Sequence, residues 1–141
     1  LLPSAHVVVN PEPDAGRTKS LQIGIRAIQR LLDRTPKRVV MAPVDRPVWN
    51  APLLRDLLAC DGNVAPSHQN RKGHPVVMDA EAIQAVMEAE PDRPLRDVVA
   101  FNPLPVLAPH LHLNIDTEDD LATLESFLGE LQDCFPEGEG I

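Results

Sequence analysis

Two acidic residues stand where a metal-bound polyphosphate would need them. Asp45 lies in Pro43-Val44-Asp45-Arg46-Pro47, directly after the apolar run Val39 to Met41, and Asp116 directly precedes Thr117-Glu118-Asp119-Asp120. The prolines restrict the turn around Asp45 and aim its carboxylate outward. Magnesium held by a triphosphate takes only one or two protein carboxylates, because waters and phosphate oxygens supply its other ligands. Each residue also has a purely structural alternative. Asp45 can pair with Arg46 or close an Asx turn, and an acid at position 116 can simply complement the start of a helix.

Two further segments carry polar chemistry. Gly16-Arg17-Thr18-Lys19-Ser20, with Gly24 one turn further on and Asn10 upstream, sets small residues, two cations and hydroxyls at a helix start, a place that suits an anion or the polar edge of a base. The pattern is neither a Walker loop nor a dinucleotide fingerprint, and a plain amphipathic helix also explains it. Ser67-His68-Gln69-Asn70-Arg71-Lys72-Gly73-His74-Pro75 concentrates donors and positive charge, which suits a phosphate-bearing second substrate; a solvated hairpin is the structural alternative. His6, His110 and His112 stand alone and read as structural histidines.

The elements that must position these residues alternate. Ala5 to Asn10 reads as a buried strand, Ser20 to Asp33 as a helix with Leu21, Ile25, Ile28 and Leu32 on one face, and Arg38 to Ala42 as a second strand. Asn50 caps a helix bearing Leu53, Leu54, Leu57 and Leu58. Asn63 to Pro66 and His74 to Met78 read as strands, Asp79 caps the helix of Ile83, Val86 and Met87, and Pro94 to Val99 forms a short helix. The alternation from Val106 to Ile115 predicts an edge strand, punctuated by Pro103, Pro105 and Pro109. Thr117 to Asp120 has the capping-box pattern, and Leu121, Leu124, Leu128 and Leu131 stripe the helix that follows. The expectation is an α/β fold, a mostly parallel sheet flanked by helices on both faces, in one domain over residues 1–135 with a disordered acidic tail at 136–141. Ligands in such sheets gather beyond the carboxyl ends of the strands, where Asn10, Asp45, the Ser67 to His74 loop, Asn114 and Asp116 all fall.

Composition narrows the partners. The chain of 141 residues is 43% apolar but only 3% aromatic, so its core must rest on Leu, Val, Ile and Ala. A net charge of −8 argues against holding long nucleic acid, which needs a clustered basic surface. A small phosphorylated substrate remains compatible with it. Cys60 and Cys134 lack C-x-x-C spacing, which fits a reducing cytoplasm. No apolar stretch reaches bilayer-spanning length, so no membrane partner is expected.

Four segments in order, Gly16-x-x-x-Ser20-Leu21-x-x-Gly24, Ala42-Pro43-Val44-Asp45-Arg46-Pro47, Arg71-Lys72-Gly73-His74-Pro75-Val76-Val77 and Asn114-Ile115-Asp116-Thr117-Glu118-Asp119-Asp120-Leu121, resemble the molybdenum cofactor nucleotidyltransferase family. That family includes molybdopterin cytidylyl- and guanylyltransferase-like proteins and has a Rossmann-like, glycosyltransferase-A-like fold. The resemblance implies that Asp45 and Asp116 hold Mg²⁺ as the catalytic and metal-binding pair. It implies that Asn10, Gly16, Ser20, Gly24 and Pro43 line the nucleotide, and that Gly73, His74, Pro75 and Arg96 face the acceptor. The family has Gly-x-Arg where this chain has Pro94-Leu95-Arg96, and it opens with an L-A-A-G-x-S-x-R-x-G-x-x-K loop that has no counterpart here. The expectation is that this loop and the first strand precede Leu1 in the native protein, and that the fragment alone is inactive. The implied reaction moves a nucleoside monophosphate from CTP or GTP to molybdopterin and releases pyrophosphate, with a molybdoenzyme or its chaperone as a protein partner. A sugar- or alditol-phosphate acceptor, and a noncatalytic nucleotide-binding module, are the alternatives.

Overall fold

The computed structural model describes residues 4–127. In chain order these form α1 (Arg17–Leu32), β1 (Arg38–Met41), α2 (Ala51–Ala59), β2 (Val64–His68), β3 (Arg71–Lys72), β4 (Val76–Asp79), α3 (Ala80–Glu88), α4 (Leu95–Val98), β5 (Asn102–Pro105) and α5 (Glu118–Ser126). The strands make one sheet in the order β1-β4-β2-β3, with β5 also on β2. It is a mixed sheet flanked by helices: β2 runs parallel to β5 and antiparallel to β3 and β4. The α/β class and the nucleotidyltransferase type of fold are as expected.

The described residues gather into two compact units, 4–39 with 78–100 and 40–77 with 101–127. In the first, Ile25 of α1 and Ala82, Ile83 and Val86 of α3 are buried. The Gln22 side-chain amide donates to the carbonyls of Val86 and Ala89 at 2.8 and 2.9 Å, capping the end of α3, where the Ala89 N–H also donates to the Val86 carbonyl at 3.3 Å. In the second, Leu53 and Leu57 of α2, Val64, Val77 and Leu111 form the core, with Trp49, Leu104, Val106 and Ala108 packed against it.

Local chemistry sets the helix starts. Asn50 Oδ1 accepts from the Leu53 N–H at 2.9 Å, and Asp79 Oδ1 from the Ala82 N–H at 2.9 Å. Thr117 and Asp120 complete a reciprocal capping box at α5. β2 and β3 are joined by Gln69 and Asn70, at φ 52° and 61°, the two left-handed residues that a twisted two-residue hairpin requires.

Four sequence expectations need correction. Ala5 to Asn10 forms no strand, and Val7 and Val9 are 66% and 76% exposed, since β-branched residues favour a strand only where there is a neighbour to pack on. The edge strand lies at β5, and residues 106–115 form no strand, with a turn at 109–112: the Leu111 N–H donates to the Ala108 carbonyl and the Leu113 N–H to the His110 carbonyl, both at 3.0 Å. Helix α1 begins at Arg17 rather than Ser20 and buries Thr18, Gln22 and Ile25, a face offset from the expected one. The described part of α5 buries no residue, with Leu121 47% exposed. Leu128, Leu131, Cys134 and the tail at 136–141 lie outside the described residues.

The two prolines of β5 show how it is an edge. The Asn102 and Val106 N–H groups donate to the carbonyls of Asn63 and Ser67 at 2.9 and 2.8 Å, so the even-numbered residues face β2 and the nitrogens of Pro103 and Pro105 point the other way. No helix of the described residues is long and apolar enough to cross a membrane.

Candidate active site

Within the second unit, the two acidic segments meet. The Ile115 N–H donates to the Asp45 carbonyl at 2.9 Å, which sets Asp116 one residue from the turn that carries Asp45. That turn is closed by the Arg46 N–H donating to the Pro43 carbonyl at 3.2 Å. The Asp45 carboxylate, half-buried, makes no hydrogen bond or ion pair among the described residues, so neither the Asx turn nor the Arg46 pair accounts for it. Arg46 turns elsewhere: its Nη1 donates to the His112 carbonyl at 2.6 Å.

Asp116 is exposed and its surroundings are fixed. Asn114 Nδ2 donates to Asp116 Oδ2. The Asp116 N–H donates to Asp120 Oδ2 at 3.0 Å, and the Thr117 N–H and Oγ1 donate to the same oxygen, each at 2.9 Å. These bonds, that from the Asp116 backbone foremost, hold the Asp120 carboxyl below its ordinary pKa. The Asn114 Oδ1 is buried without a partner among the described residues.

The acceptor-loop candidates belong to the same unit. Gly73 is buried and its N–H donates to the Pro66 carbonyl at 2.8 Å. A Cβ there would lie 2.8 Å from Leu111 Cγ and Cδ2 and 3.3 Å from His112 Cε1, so the missing side chain is what allows this loop to press on the 111–112 turn. His74 is half-buried, Pro75 buried, and the bond between them is cis. Beside them, burial and then the Arg71 guanidinium lower the pKa of His112. Arg46 adds to this, and contacts with the backbone of His68 and Arg71 act against it. The imidazole is therefore neutral at neutral pH, and its Nε2 is buried without a partner among the described residues.

The remaining candidates lie in the first unit or on the turn. Asn10 Nδ2 donates to Ser20 Oγ at 2.9 Å, which joins two residues expected at the nucleotide. Gly16 has φ +116°, and a Cβ on it would lie 2.5 Å from the Pro91 carbonyl oxygen, so its identity is already explained by backbone packing. Gly24 faces open space, and Arg96 is exposed on α4. Pro43 is half-buried and serves as the acceptor that closes the Asp45 turn.

Arg46 and Asn114 stand inside motifs and His112 reads as a structural histidine, but the sequence gives none of the three a site role. Their one signal in the sequence is position: Arg46 follows Asp45, and the other two share the short segment that ends in Asp116. Together the unit offers two carboxylates and an amide oxygen, all hard donors that suit a hard divalent cation. No group of three or more His, Cys, Asp or Glu that could hold a metal occurs among the described residues. Two carboxylates suffice where a polyphosphate brings its own oxygens.

No match was found among curated proteins. The family model of the MobA-like NTP transferase domain matches residues 2–108, a span that takes in the Asp45 turn and the Gly73-His74-Pro75 loop and stops short of Asp116. The mixed α/β architecture and this match over most of the sequence place the chain in the MobA-like NTP transferase domain family, whose members are nucleotidyltransferases that bind a nucleoside triphosphate.

Proposed function

We propose that the protein transfers a nucleoside monophosphate from CTP or GTP to a phosphorylated acceptor, in the first place molybdopterin, with Mg²⁺ as cofactor and in the cytoplasm. An oxygen of the acceptor phosphate attacks the α-phosphorus; the bond from that phosphorus to the bridging oxygen breaks, and pyrophosphate leaves. Such transfer asks for positioning and charge compensation more than for a general base.

The observation that carries this reading is the pairing of Asp45 with the Asp116 segment through the Ile115 N–H, together with an Asp45 carboxylate that has no partner among the described residues. Asp45 and Asp116 would hold the cation, which supplies charge neutralisation at the triphosphate. The Asn114 amide fixes one Asp116 oxygen and so orients the other. Gly73, His74 and Pro75 face the acceptor, and the cationic Arg71 and Lys72 beside them suit its phosphate. Among the first unit's residues, Asn10, Gly16, Ser20 and Gly24 are assigned to nucleotide contact and Arg96 to a phosphate; Pro43 shapes the turn.

The test incubates the full-length protein with Mg²⁺, each nucleoside triphosphate and molybdopterin, and scores pyrophosphate release, with Asp45→Ala as control. Turnover with CTP or GTP that falls at least about 100-fold in the variant is expected for a lost electrostatic contact at the reacting phosphate. Equal turnover in the two proteins removes Asp45 from the mechanism. Triphosphate binding without turnover identifies a noncatalytic module.

A further inference from the structure

We propose that Arg46 is a positioning residue that fastens the Pro43–Pro47 turn to the segment leading to Asp116, and so keeps the two metal-holding acids together. The assignment of those acids rests on the proposed function; the fastening itself rests on geometry.

Two hydrogen bonds join the turn to that segment. One is the Ile115 N–H to the Asp45 carbonyl at 2.9 Å, and the other is Arg46 Nη1 to the His112 carbonyl at 2.6 Å. A single bond leaves a turn free to pivot about it. A second, anchored three residues away, removes that freedom. The second is also charge-assisted and short, the stronger kind. Arg46 has no ion pair among the described residues, so its charge is not cancelled by a carboxylate there. The carbonyl it grips belongs to His112, whose ring stands 3.3 Å from where a Cβ on Gly73 would lie, so the same residue sits between the turn and the acceptor loop. A residue that merely screened Asp45 would point at Asp45. Arg46 points past it, to a backbone atom that carries no information except position.

The experiment follows amide hydrogen exchange in the full-length protein by NMR, with the Ile115 amide as reporter, alongside binding of Mn²⁺·GTP and Mn²⁺·CTP. In Arg46→Gln the Ile115 amide is expected to exchange about tenfold faster or more, the worth of a charge-assisted hydrogen bond, while the amides of α2 keep wild-type protection and Mn²⁺·nucleotide binding weakens. Arg46→Lys, which retains a charged donor without the planar fork, is expected to recover part of the protection. If Arg46→Gln does not fold, Arg46→Lys decides: faster exchange confined to Ile115 and its neighbours supports the proposal. Wild-type exchange at Ile115 in folded Arg46→Gln, or in Arg46→Lys where Arg46→Gln does not fold, overturns it. Asp45→Asn keeps the backbone carbonyl, so there Ile115 stays protected while Mn²⁺·nucleotide binding falls. Unchanged metal–nucleotide binding in Asp45→Asn sinks the assignment of the acids, and Ile115 exchange then still judges the fastening on its own.

Discussion

The start of α1 and the Asp45 turn look alike as motifs, since each offers small residues, charge and a strand or helix end. They differ in what the fold has already done with their polar groups. At α1 most are engaged: Thr18 Oγ1 donates to the Arg93 carbonyl at 2.6 Å, the Lys19 N–H to the Pro91 carbonyl at 3.2 Å, and the Gln22 amide to the end of α3. Gly16 is required there by the approach of Pro91. At the turn, backbone groups and Arg46 do the structural work, and the Asp45 carboxylate is left without a partner among the described residues. A polar side chain that a fold positions and does not use is the better candidate for chemistry.

The sharpest test of that contrast sets Asp45→Asn against Ser20→Ala in one assay. The first is expected to lower kcat at least about 100-fold. The second should raise the nucleotide KM a few-fold with kcat unchanged, the mark of uniform binding. A collapse of kcat in Ser20→Ala would reverse the ranking of the two regions. Next in size, Gln22→Ala takes the side-chain donor from the Ala89 carbonyl and leaves the Val86 carbonyl only the Ala89 N–H at 3.3 Å, and is expected to destabilise by about 2 kcal/mol in urea unfolding. An unaffected midpoint would mean that the first unit is not held by these bonds. Gly24→Ala meets nothing within 4 Å and should stabilise by about 1 kcal/mol through helix propensity. Nucleotide affinity unchanged in that variant would take Gly24 out of the nucleotide site.

The smallest effect is a pH dependence at His112. Its pKa in the folded state is below the ordinary 6.5, so on acidification the unfolded chain takes up the proton first. Stability from this residue is complete above pH 6.5 and falls as the pH drops from there toward the folded value. His112→Gln should flatten that part of the stability profile, measured by denaturant midpoints from pH 7.5 to about 5. An unchanged slope would show that the imidazole is not held neutral by its burial.

Features encoded over three or four residues were legible in the sequence. Asn50, Asp79 and the Thr117–Asp120 box each mark a helix start because the cap is a local bond from side chain to backbone. The candidate acids were legible for a similar reason, each sitting next to a recognisable element boundary. Alternation misled at His110 to Ile115, where Leu111 enters the core from a turn rather than from a strand. The β2–β3 hairpin uses Gln69 and Asn70 rather than a glycine, so its turn carried a weak signal. Least legible was the Arg46 contact with a carbonyl 66 residues away. It obeys no spacing rule and exists only because the fold brings a charged donor to a backbone atom.

The outward side of β5 has a consequence for behaviour at high concentration. With Pro103 and Pro105 placed there, that rim shows carbonyl oxygens and lacks the N–H groups that an added strand would need for a continuous ladder. Another copy therefore cannot extend the sheet at this border, and the chain keeps a short exposed strand without giving misfolded or crowded neighbours a template for stacking.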